Sequence, residues 1–442
     1  MTRRLASTGV ELAAVLLWTL PVASQGVDVL GYTAVIEPSF ETQSIMGRVR
    51  VVFQTRGPAL ILNAGDLSID AVYEGSRSLP FAKRVDELHI ELGSGVRGDQ
   101  RAVDIDYHGT PRRGLSFVPD AHQVSTSFAT SQWLPVIDDP NERATLDLTL
   151  LLPADDQLQA AASAERVVTH ANLVGGRVAS RWVLDRPMPS YLYGFAAGPF
   201  GGAVEDAGHV VLRYFGPKTL STEQLARVFI ATPDMLAFFE AKSGVDYPFA
   251  SYTQVLLRGG RGQELAGMAV FGESYGEGVL ADERNIWLGA HELAHQWWGN
   301  GVTNESWNHF WLNEGMGTFM AAAYLEHRFG REEYLRHIDA ARAKYEALRA
   351  AGHDKPLVFT AWTNPSAEDR SIVYDKGAYV IHLLREELGE DAFWAGIRLY
   401  TTRHWEQSVT TPDFERAMAD AAGRDLTEFF ARWVYAPPDE SR

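Results

Sequence analysis

Residues 291–315 read HELAHQWWGNGVTNESWNHFWLNEG. His291 and His295 are four residues apart within a predicted helix, so their side chains lie on one face, about one turn apart. Two imidazoles in this arrangement can bind one metal ion, and zinc accepts such nitrogen ligands at roughly 2.0–2.1 Å. Glu292 is rotated by about 100° around the helix and therefore flanks the ion. This position suits a base that deprotonates a water molecule.

A catalytic zinc site needs a third protein ligand and an open position for water. Glu314 follows His295 after 18 intervening residues, and a second helix is predicted to begin at Gly315. If the two helices are antiparallel, Glu314 completes a set of two histidines and one glutamate. The sequence therefore predicts one zinc ion per chain, bound by His291, His295 and Glu314, with Glu292 as the general base.

In the rest of the sequence, the spacing of apolar residues changes near residue 205. Between Val27 and Gly202, short runs alternate apolar and polar residues, as in 49–53, 88–92, 103–107 and 146–150. From about Thr219 the period becomes helical, and helices are predicted at residues 223–241, 283–298, 315–329, 331–349, 376–388, 391–402, 412–422 and 426–435. We therefore expect an N-terminal antiparallel β saddle or sandwich, residues 27–205, followed by a mostly helical domain, residues 206–442.

The composition narrows the classes of protein and partner. The chain of 442 residues has 46% apolar residues, which is typical of a soluble globular protein. The absence of cysteine excludes disulfides, thiolate-bound metal sites and a cysteine nucleophile. Forty basic and 57 acidic side chains give a net charge of −17, which disfavours nucleic acid as a partner.

The N-terminus has the features of an export signal. Arg3 and Arg4 precede a mostly apolar run, residues 10–22, and small residues follow near Ser24. A transmembrane anchor is the alternative, but the run of about 13 residues contains Glu11 and is shorter than the roughly 20 that span a bilayer. We predict a signal peptide at residues 1–24, a periplasmic or extracellular location, and no membrane insertion of the mature chain.

The run from His291 to Gly315 closely resembles the zinc-binding segment of the gluzincin aminopeptidases, the membrane alanyl aminopeptidase family. Three further segments resemble motifs of its β domain and its tyrosine motif: 126–128 (TSF), 135–150 (PVIDDP followed by ATLDLTL) and 373–377 (VYDKG). The resemblance implies an N-terminal saddle domain and a thermolysin-like catalytic domain. The large C-terminal helical domain of many members would be absent, since the sequence ends at Arg442.

The same resemblance implies the roles of individual residues. It makes His291, His295 and Glu314 the zinc ligands and Glu292 the general base. It also implies that Tyr374 donates a hydrogen bond to the oxyanion of the tetrahedral intermediate. A phenol directed at this charge contributes on the order of 2–4 kcal/mol in a dry site.

The segments that bind the substrate amine depart from the family pattern. Family members carry a Gly-x-Met-Glu-Asn strand whose glutamate binds the α-ammonium of the substrate, and this chain has AGMAVFG at residues 266–272. On this alignment Ala269 replaces the glutamate, and Ser127 replaces the second amine-binding residue. Gly267, Met268, Ala269 and Ser127 are then the predicted substrate-binding residues.

Three interpretations of this departure remain open. Glu264, Glu273 or an acidic residue near Asp138–Asp139 could supply the missing carboxylate, which would preserve an aminopeptidase. Alternatively, the site accepts internal or N-modified peptides, since an ammonium buried without a carboxylate costs several kcal/mol. A non-catalytic peptide-binding protein is the third possibility. The leading prediction is a zinc metallopeptidase that acts on a peptide or protein substrate.

Overall fold

The structure is a computed structural model that describes residues 27–436 apart from 94–97, 155–156, 361, 363 and 364. The predicted signal peptide, residues 1–24, lies outside the described residues. Within the described part of the chain, no helix combines the length and the apolar character that crossing a membrane requires.

The regular structure of residues 27–198 is mostly β-strand, as the alternating pattern predicts. The described strands of this region are β1 (Val27–Ser39), β2 (Ser44–Thr55), β3 (Ala59–Asn63), β4 (Ser68–Glu74), β5 (Arg77–Ser78), β6 (Phe81–Arg84), β7 (Glu87–Glu91), β8 (Gln100–Gly109), β9 (Leu115–Val118), β10 (Gln123–Thr126), β11 (Arg143–Pro153), β12 (Gln159–Ala162), β13 (Arg166–Val174), β14 (Arg177–Pro189) and β15 (Phe195–Gly198). The four runs quoted from the sequence fall on these strands, apart from Leu92 just beyond β7, which confirms the β-rich half of the predicted fold class.

The main sheet of this domain has the order β13-β14-β11-β1-β2-β8-β4-β5. Alternate residues of β11 are buried, from Ala144 to Leu152, because successive side chains point to opposite faces of a sheet. The described pairs are antiparallel except for β1 with β11, which run parallel. The sheet is therefore mixed at its centre, whereas the sequence predicted an antiparallel one.

Two smaller sheets, β12-β15-β10-β9 and β3-β7-β6, complete the β domain, and a five-stranded sheet with the order β16-β17-β18-β20-β19 begins the catalytic half. Its strands are β16 (Phe200–Asp206), β17 (Val211–Pro217), β18 (Ser251–Leu257), β19 (Gln263–Leu265) and β20 (Met268–Gly272), and a short pair, β21 (Thr303–Asn304) with β22 (Ser408–Val409), lies elsewhere. β20 is flanked on both sides, and β19 is at the edge. The predicted domain boundary at residue 205 falls inside β16, and the change of sheet occurs at Pro199.

The remaining chain is mostly helical, as predicted. The α-helices are α1 (Thr222–Val228), α2 (Thr232–Ser243), α3 (Glu273–Ala281), α4 (Trp287–Ala294), α5 (Trp311–Phe329), α6 (Arg331–Ala350), α7 (Ala367–Ser371), α8 (Gly377–Leu388), α9 (Glu390–Arg403), α10 (Thr411–Ala422) and α11 (Thr427–Phe430). A π-helical turn, Ile372–Lys376, joins α7 to α8.

The helices differ from the sequence prediction in several places. Helix α7 was not predicted, and the predicted helix 283–298 is observed as a 3-10 turn, Glu283–Ile286, followed by α4. The predicted helix 223–241 is divided into α1 and α2, because Pro233 is accommodated only in the first turn of a new helix. Helix α3 was not predicted. Its apolar stripe is weak because three of its nine residues are serine or glycine. One continuous cluster of buried apolar residues runs through both halves of the chain, so the β domain and the helical domain share a core.

Candidate active site

The two histidines and the glutamate singled out in the sequence converge at one point. His291 lies in α4, His295 caps its C-terminal end, and Glu314 lies in the first turn of α5. The Nε2 atoms of the histidines are 3.1 Å apart, and Oε2 of Glu314 is 3.3 Å from Nε2 of His291 and 3.4 Å from Nε2 of His295. A tetrahedral zinc ion with ligands at about 2.05 Å has ligand–ligand distances of about 3.3 Å. The donor atoms therefore fit one zinc ion.

The buried charges of the site also fit a dication. Glu264, Glu292 and Glu314 are all nearly inaccessible to solvent. Burial raises the pKa of Glu264 to about 7 and that of Glu292 well above its ordinary value, whereas the two histidines outweigh burial at Glu314 and lower its pKa to about 2. Ionised carboxylates are unfavourable in such a dry site, and a bound zinc ion would offset their charge.

The orientation of His295 is fixed by its surroundings. Its Nδ1 lies 3.0 Å from the carbonyl oxygen of Trp298 and can donate to it, which leaves Nε2 free as the metal ligand. Gly317 lies in α5 against both imidazoles, and a Cβ there would lie 2.9 Å from Cε1 of His295 and 3.1 Å from Cε1 of His291. The absence of a side chain at Gly317 thus leaves room for the ligand rings.

Glu292 meets the glycine-rich loop that precedes β19. A Cβ at Gly262 would overlap the carboxylate of Glu292 and crowd Leu288, one turn earlier on α4. Because the backbone at Gly262 comes so close, it limits where the carboxylate of Glu292 can point. This contact was not predicted, since only the tertiary fold brings the loop to α4.

Tyr374 is brought to the metal ligands by a close crossing of two helices. Gly315 of α5 and Gly377 of α8 pack without side chains, and a Cβ on Gly315 would be 2.9 Å from Cα of Gly377. The ring of Tyr374 stacks on His291 with centroids 5.9 Å apart. Burial, together with the charge of Glu314, raises the pKa of Tyr374 well above its ordinary value, so the hydroxyl keeps its proton and can donate.

The structure corrects the assignment of Met268 and Ala269 as substrate-binding residues. Both are fully buried, and they belong to β20, which is paired on both sides and so cannot accept a substrate strand. Gly267 forms the turn between β19 and β20 with a φ of +74°, where a side chain would overlap the carbonyl of Ala164. Ser127 is exposed and directly follows β10; its role stays a prediction.

Glu264, one of the three acidic candidates from the sequence, lies beside the metal ligands. Ligand atoms of Glu264, Glu292 and His295 lie within 4.8 Å of one another, and neither Glu273 nor Asp138 belongs to this group. Oε1 of Glu264 is buried and has no hydrogen-bond partner among the described residues. An unpaired carboxylate oxygen in a dry site needs a donor from a ligand.

The sequence reasoning missed two residues that hold Glu264 in place. Gln296 donates to the carbonyl of Leu265 at 2.9 Å and accepts from the amide of Gly267 at 3.1 Å. Asn300 donates to the same Leu265 carbonyl at 3.3 Å. Both residues follow His295 within five positions, and the polar pair in that apolar stretch was the available signal.

The fold and the site together define a class. Two histidines and a glutamate from successive helices, beside an edge strand, have the arrangement of a gluzincin zinc centre. Residues 229–433 match the family model described as the peptidase family M1 domain. The segment 229–433 is therefore an M1 peptidase domain, which supports the predicted gluzincin aminopeptidase family and one catalytic zinc ion.

The proteins to which this chain is similar include aminopeptidases and M1 metallopeptidases. Aminopeptidase N from Lactococcus lactis is 24% identical over 92% of this chain and 50% of its own length, and leucine aminopeptidase 2 from Aspergillus oryzae is 28% identical over 92% and 70%. The chain spans about half the length of several curated relatives that it matches. An M1 zinc metallopeptidase from Deinococcus radiodurans has the same fold, with a TM-score of 0.78, 21% identity and 94% of both chains covered.

Proposed function

We propose that this protein is a zinc-dependent aminopeptidase and that Glu264 binds the free α-ammonium of its peptide substrate. The observation that carries the proposal is the buried, unpaired Oε1 of Glu264 beside Glu292 and His295. An ammonium group supplies both the missing donor and a compensating charge. The comparison with the family motif placed Ala269 at the amine-binding position. In this proposal Glu264, on the neighbouring strand, takes that role instead.

The edge strand supports the same binding mode. β19 pairs with β20 on one side only among the described strands, so its other side can accept the backbone of an extended peptide. The side chain of Glu264 points from this strand towards His295 and Glu292. A substrate paired with β19 thus brings its N-terminus to Glu264 and its first peptide bond to the metal ligands.

The residues around that bond have complementary roles. Zinc, when bound, polarises the scissile carbonyl and makes water a stronger nucleophile. Glu292 accepts the proton of the attacking water and returns it to the departing amine, a use that its raised pKa favours. Tyr374 donates its proton-bearing hydroxyl to the developing negative charge.

The names of similar proteins support a peptide substrate. The Lactococcus lactis and Aspergillus oryzae relatives are named aminopeptidases, and a variant of the Deinococcus radiodurans M1 zinc metallopeptidase was solved with a Tyr-Ser-Ala substrate. A free N-terminus on a short peptide is the chemistry that Glu264 and β19 can recognise in this chain.

The test compares free and N-acetylated versions of the same peptides, with cut positions read by mass spectrometry. We expect the wild type to remove single residues from free N-termini only, in a chelator-sensitive manner. Glu292→Gln should abolish turnover, and Glu264→Gln should lower kcat/KM for free peptides by about 100-fold or more. Glu273→Gln is the matched control, because it removes a carboxylate outside the metal-site group.

Other outcomes of this cleavage experiment would favour the alternative functions. Cleavage of acetylated peptides or of internal bonds would contradict amine recognition and favour an endopeptidase or a hydrolase of N-modified peptides. The absence of any chelator-sensitive cleavage would favour a non-catalytic peptide-binding protein. Full activity of Glu264→Gln would reject Glu264 as the amine-binding residue.

We also propose that the chain is exported to a periplasm or the cell exterior, on the basis of residues 1–24. N-terminal sequencing of the protein purified from its own host should begin near Gln25. Retention of Met1 in the purified protein would contradict export by cleavage.

A further inference from the structure

A cavity of about 650 Å³ opens beside the metal ligands, between α4, α5, α6 and the turn that carries Tyr374. Its size lies within the range of roughly 300–1,000 Å³ that is usual for ligand pockets. Trp287 and Tyr374 are among the residues that line it. Their rings stack on His291, with centroids 5.0 and 5.9 Å away, so the cavity adjoins the catalytic centre directly.

The geometry of α4 indicates which part of a substrate enters this cavity. Leu288 and Glu292 lie one turn apart on the face that meets Gly262, next to the strand of Glu264. Trp287 and His291 lie one turn apart on a face rotated by about 100°, and Trp287 on this face lines the cavity. A peptide whose N-terminus is at Glu264 and whose first bond is at the metal ligands therefore extends its carboxyl side towards the cavity.

The charged groups that line the cavity leave one positive charge uncompensated. Lys344 and Asp375 form an ion pair at 2.9 Å, and Oγ of Ser371 donates to the same carboxylate at 2.6 Å. Burial lowers the pKa of His337, so this ring is neutral at pH 7. Arg370 lines the cavity and has no acidic partner within the described part of the chain.

We propose that Arg370 binds the terminal carboxylate of a short peptide whose departing part occupies this cavity. This inference rests on the proposed aminopeptidase function and names its substrate class, peptides of about three residues. Arg370 precedes Tyr374 by four residues, which is about 6 Å along a helix. Two extended residues span up to about 7 Å, so the dipeptide that leaves a tripeptide reaches the guanidinium. A guanidinium matches a carboxylate with two parallel hydrogen bonds.

The experiment compares the tripeptide Leu-Gly-Gly with the same peptide carrying a C-terminal amide. We expect wild-type kcat/KM to be about tenfold higher for the acid. Arg370→Ala should remove this preference by slowing hydrolysis of the acid, while the amide is hydrolysed within about twofold of wild type. Arg342→Ala is the matched control: Arg342 is an exposed arginine of α6 that pairs with Asp339 and does not line the cavity. It should keep the preference, which separates a local contact from the loss of overall charge.

Two further measurements make the result decisive. Leucine 4-nitroanilide has a free amine but no peptide carboxylate, so its hydrolysis tests the proposed function independently of Arg370. Competition by Gly-Gly and by its amide against this substrate reports binding in the cavity without cleavage of either peptide. Equal treatment of acid and amide by the wild type, or an acid preference retained in Arg370→Ala, would overturn the proposal.

Discussion

The metal-binding half of the site and the half that carries Glu264 are held in place by different kinds of contact. In the first half, His291 and His295 lie one helical turn apart, and the helix repeat itself brings their Nε2 atoms to 3.1 Å. In the second half, Glu264 is the middle residue of a three-residue edge strand. Its position depends on the turn 265–267, which Gln296 and Asn300 tie to the end of α4.

This difference indicates how each half responds to change. A ligand lost from the helices removes a donor atom but leaves the scaffold intact, so the effect should appear in the metal content. A change near the strand keeps every donor atom and moves a carboxylate relative to the metal. The second kind of effect should appear in kcat/KM with the metal still bound.

The largest effect is expected from removal of the third ligand. Glu314→Gln should lower the zinc content measured by atomic absorption well below one per chain and reduce hydrolysis of leucine 4-nitroanilide by at least about 100-fold. Glu305→Gln, an exposed position in the segment between the two helices, is the control and should retain both. A full complement of zinc in Glu314→Gln would rule out this carboxylate as a ligand.

The half of the site that carries Glu264 can be tested without changing a polar side chain. Gly262→Ala should push the carboxylate of Glu292 aside and lower kcat by roughly 10- to 100-fold, since a displacement of about 1 Å can cost a factor of 100. Zinc content should stay at one per chain. Gly201→Ala is the matched control, because a Cβ at Gly201 has no neighbour closer than 3.8 Å. Unchanged kcat in Gly262→Ala would show that the loop does not position Glu292.

The same contrast explains what the sequence could predict. The donor set was predictable because a spacing of four residues on a helix fixes a distance in space. Which of the acidic candidates lies beside these donors was not predictable, because strand register is set by neighbouring strands that a short motif does not reveal. A glycine followed by methionine directed the prediction to β20, and Ala269 lies there in the interior of the sheet while Glu264 lies at its edge.

A third prediction concerns Tyr374, which shares features of both halves. Its π-helical turn includes Lys376, whose ammonium is buried and donates to Asp354 at 2.7 Å and to the carbonyl of Lys355 at 2.6 Å. Asp354→Asn leaves this ammonium without its countercharge, which should cost about 3 kcal/mol in the free energy of unfolding and lower kcat by about tenfold. Zinc content should not change.

The control for Asp354 separates local positioning from general loss of stability. Asp339→Asn removes an exposed carboxylate from α6 and should leave both urea unfolding and kcat at wild-type values. If Asp354→Asn lowers stability while kcat at low temperature is unchanged, the ion pair holds the fold but does not position Tyr374.

The smallest effect on catalysis is expected from a substitution in the β domain. Glu142 of this domain is a partly buried carboxyl group, distant in sequence from both halves of the site. Burial raises the pKa of Glu142 to about 7, and the backbone N–H of Val29 donates to its Oε1 at 2.6 Å. Because the pKa of Glu142 in the folded protein lies above its ordinary value, the contribution of Glu142 to the free energy of unfolding is fully present below about pH 4.5. It is lost as the pH rises through 7.

Glu142→Gln keeps the acceptor and removes the charge, so it should increase the free energy of unfolding at pH 8 by about 1–2 kcal/mol and leave kcat unchanged. Urea unfolding at pH 5 and pH 8 measures this, with exposed Glu41→Gln as the control. A stability gain at pH 8 accompanied by altered kcat would mean that the β domain takes part in positioning the site, and no gain would mean that Glu142 is already solvated in the folded protein.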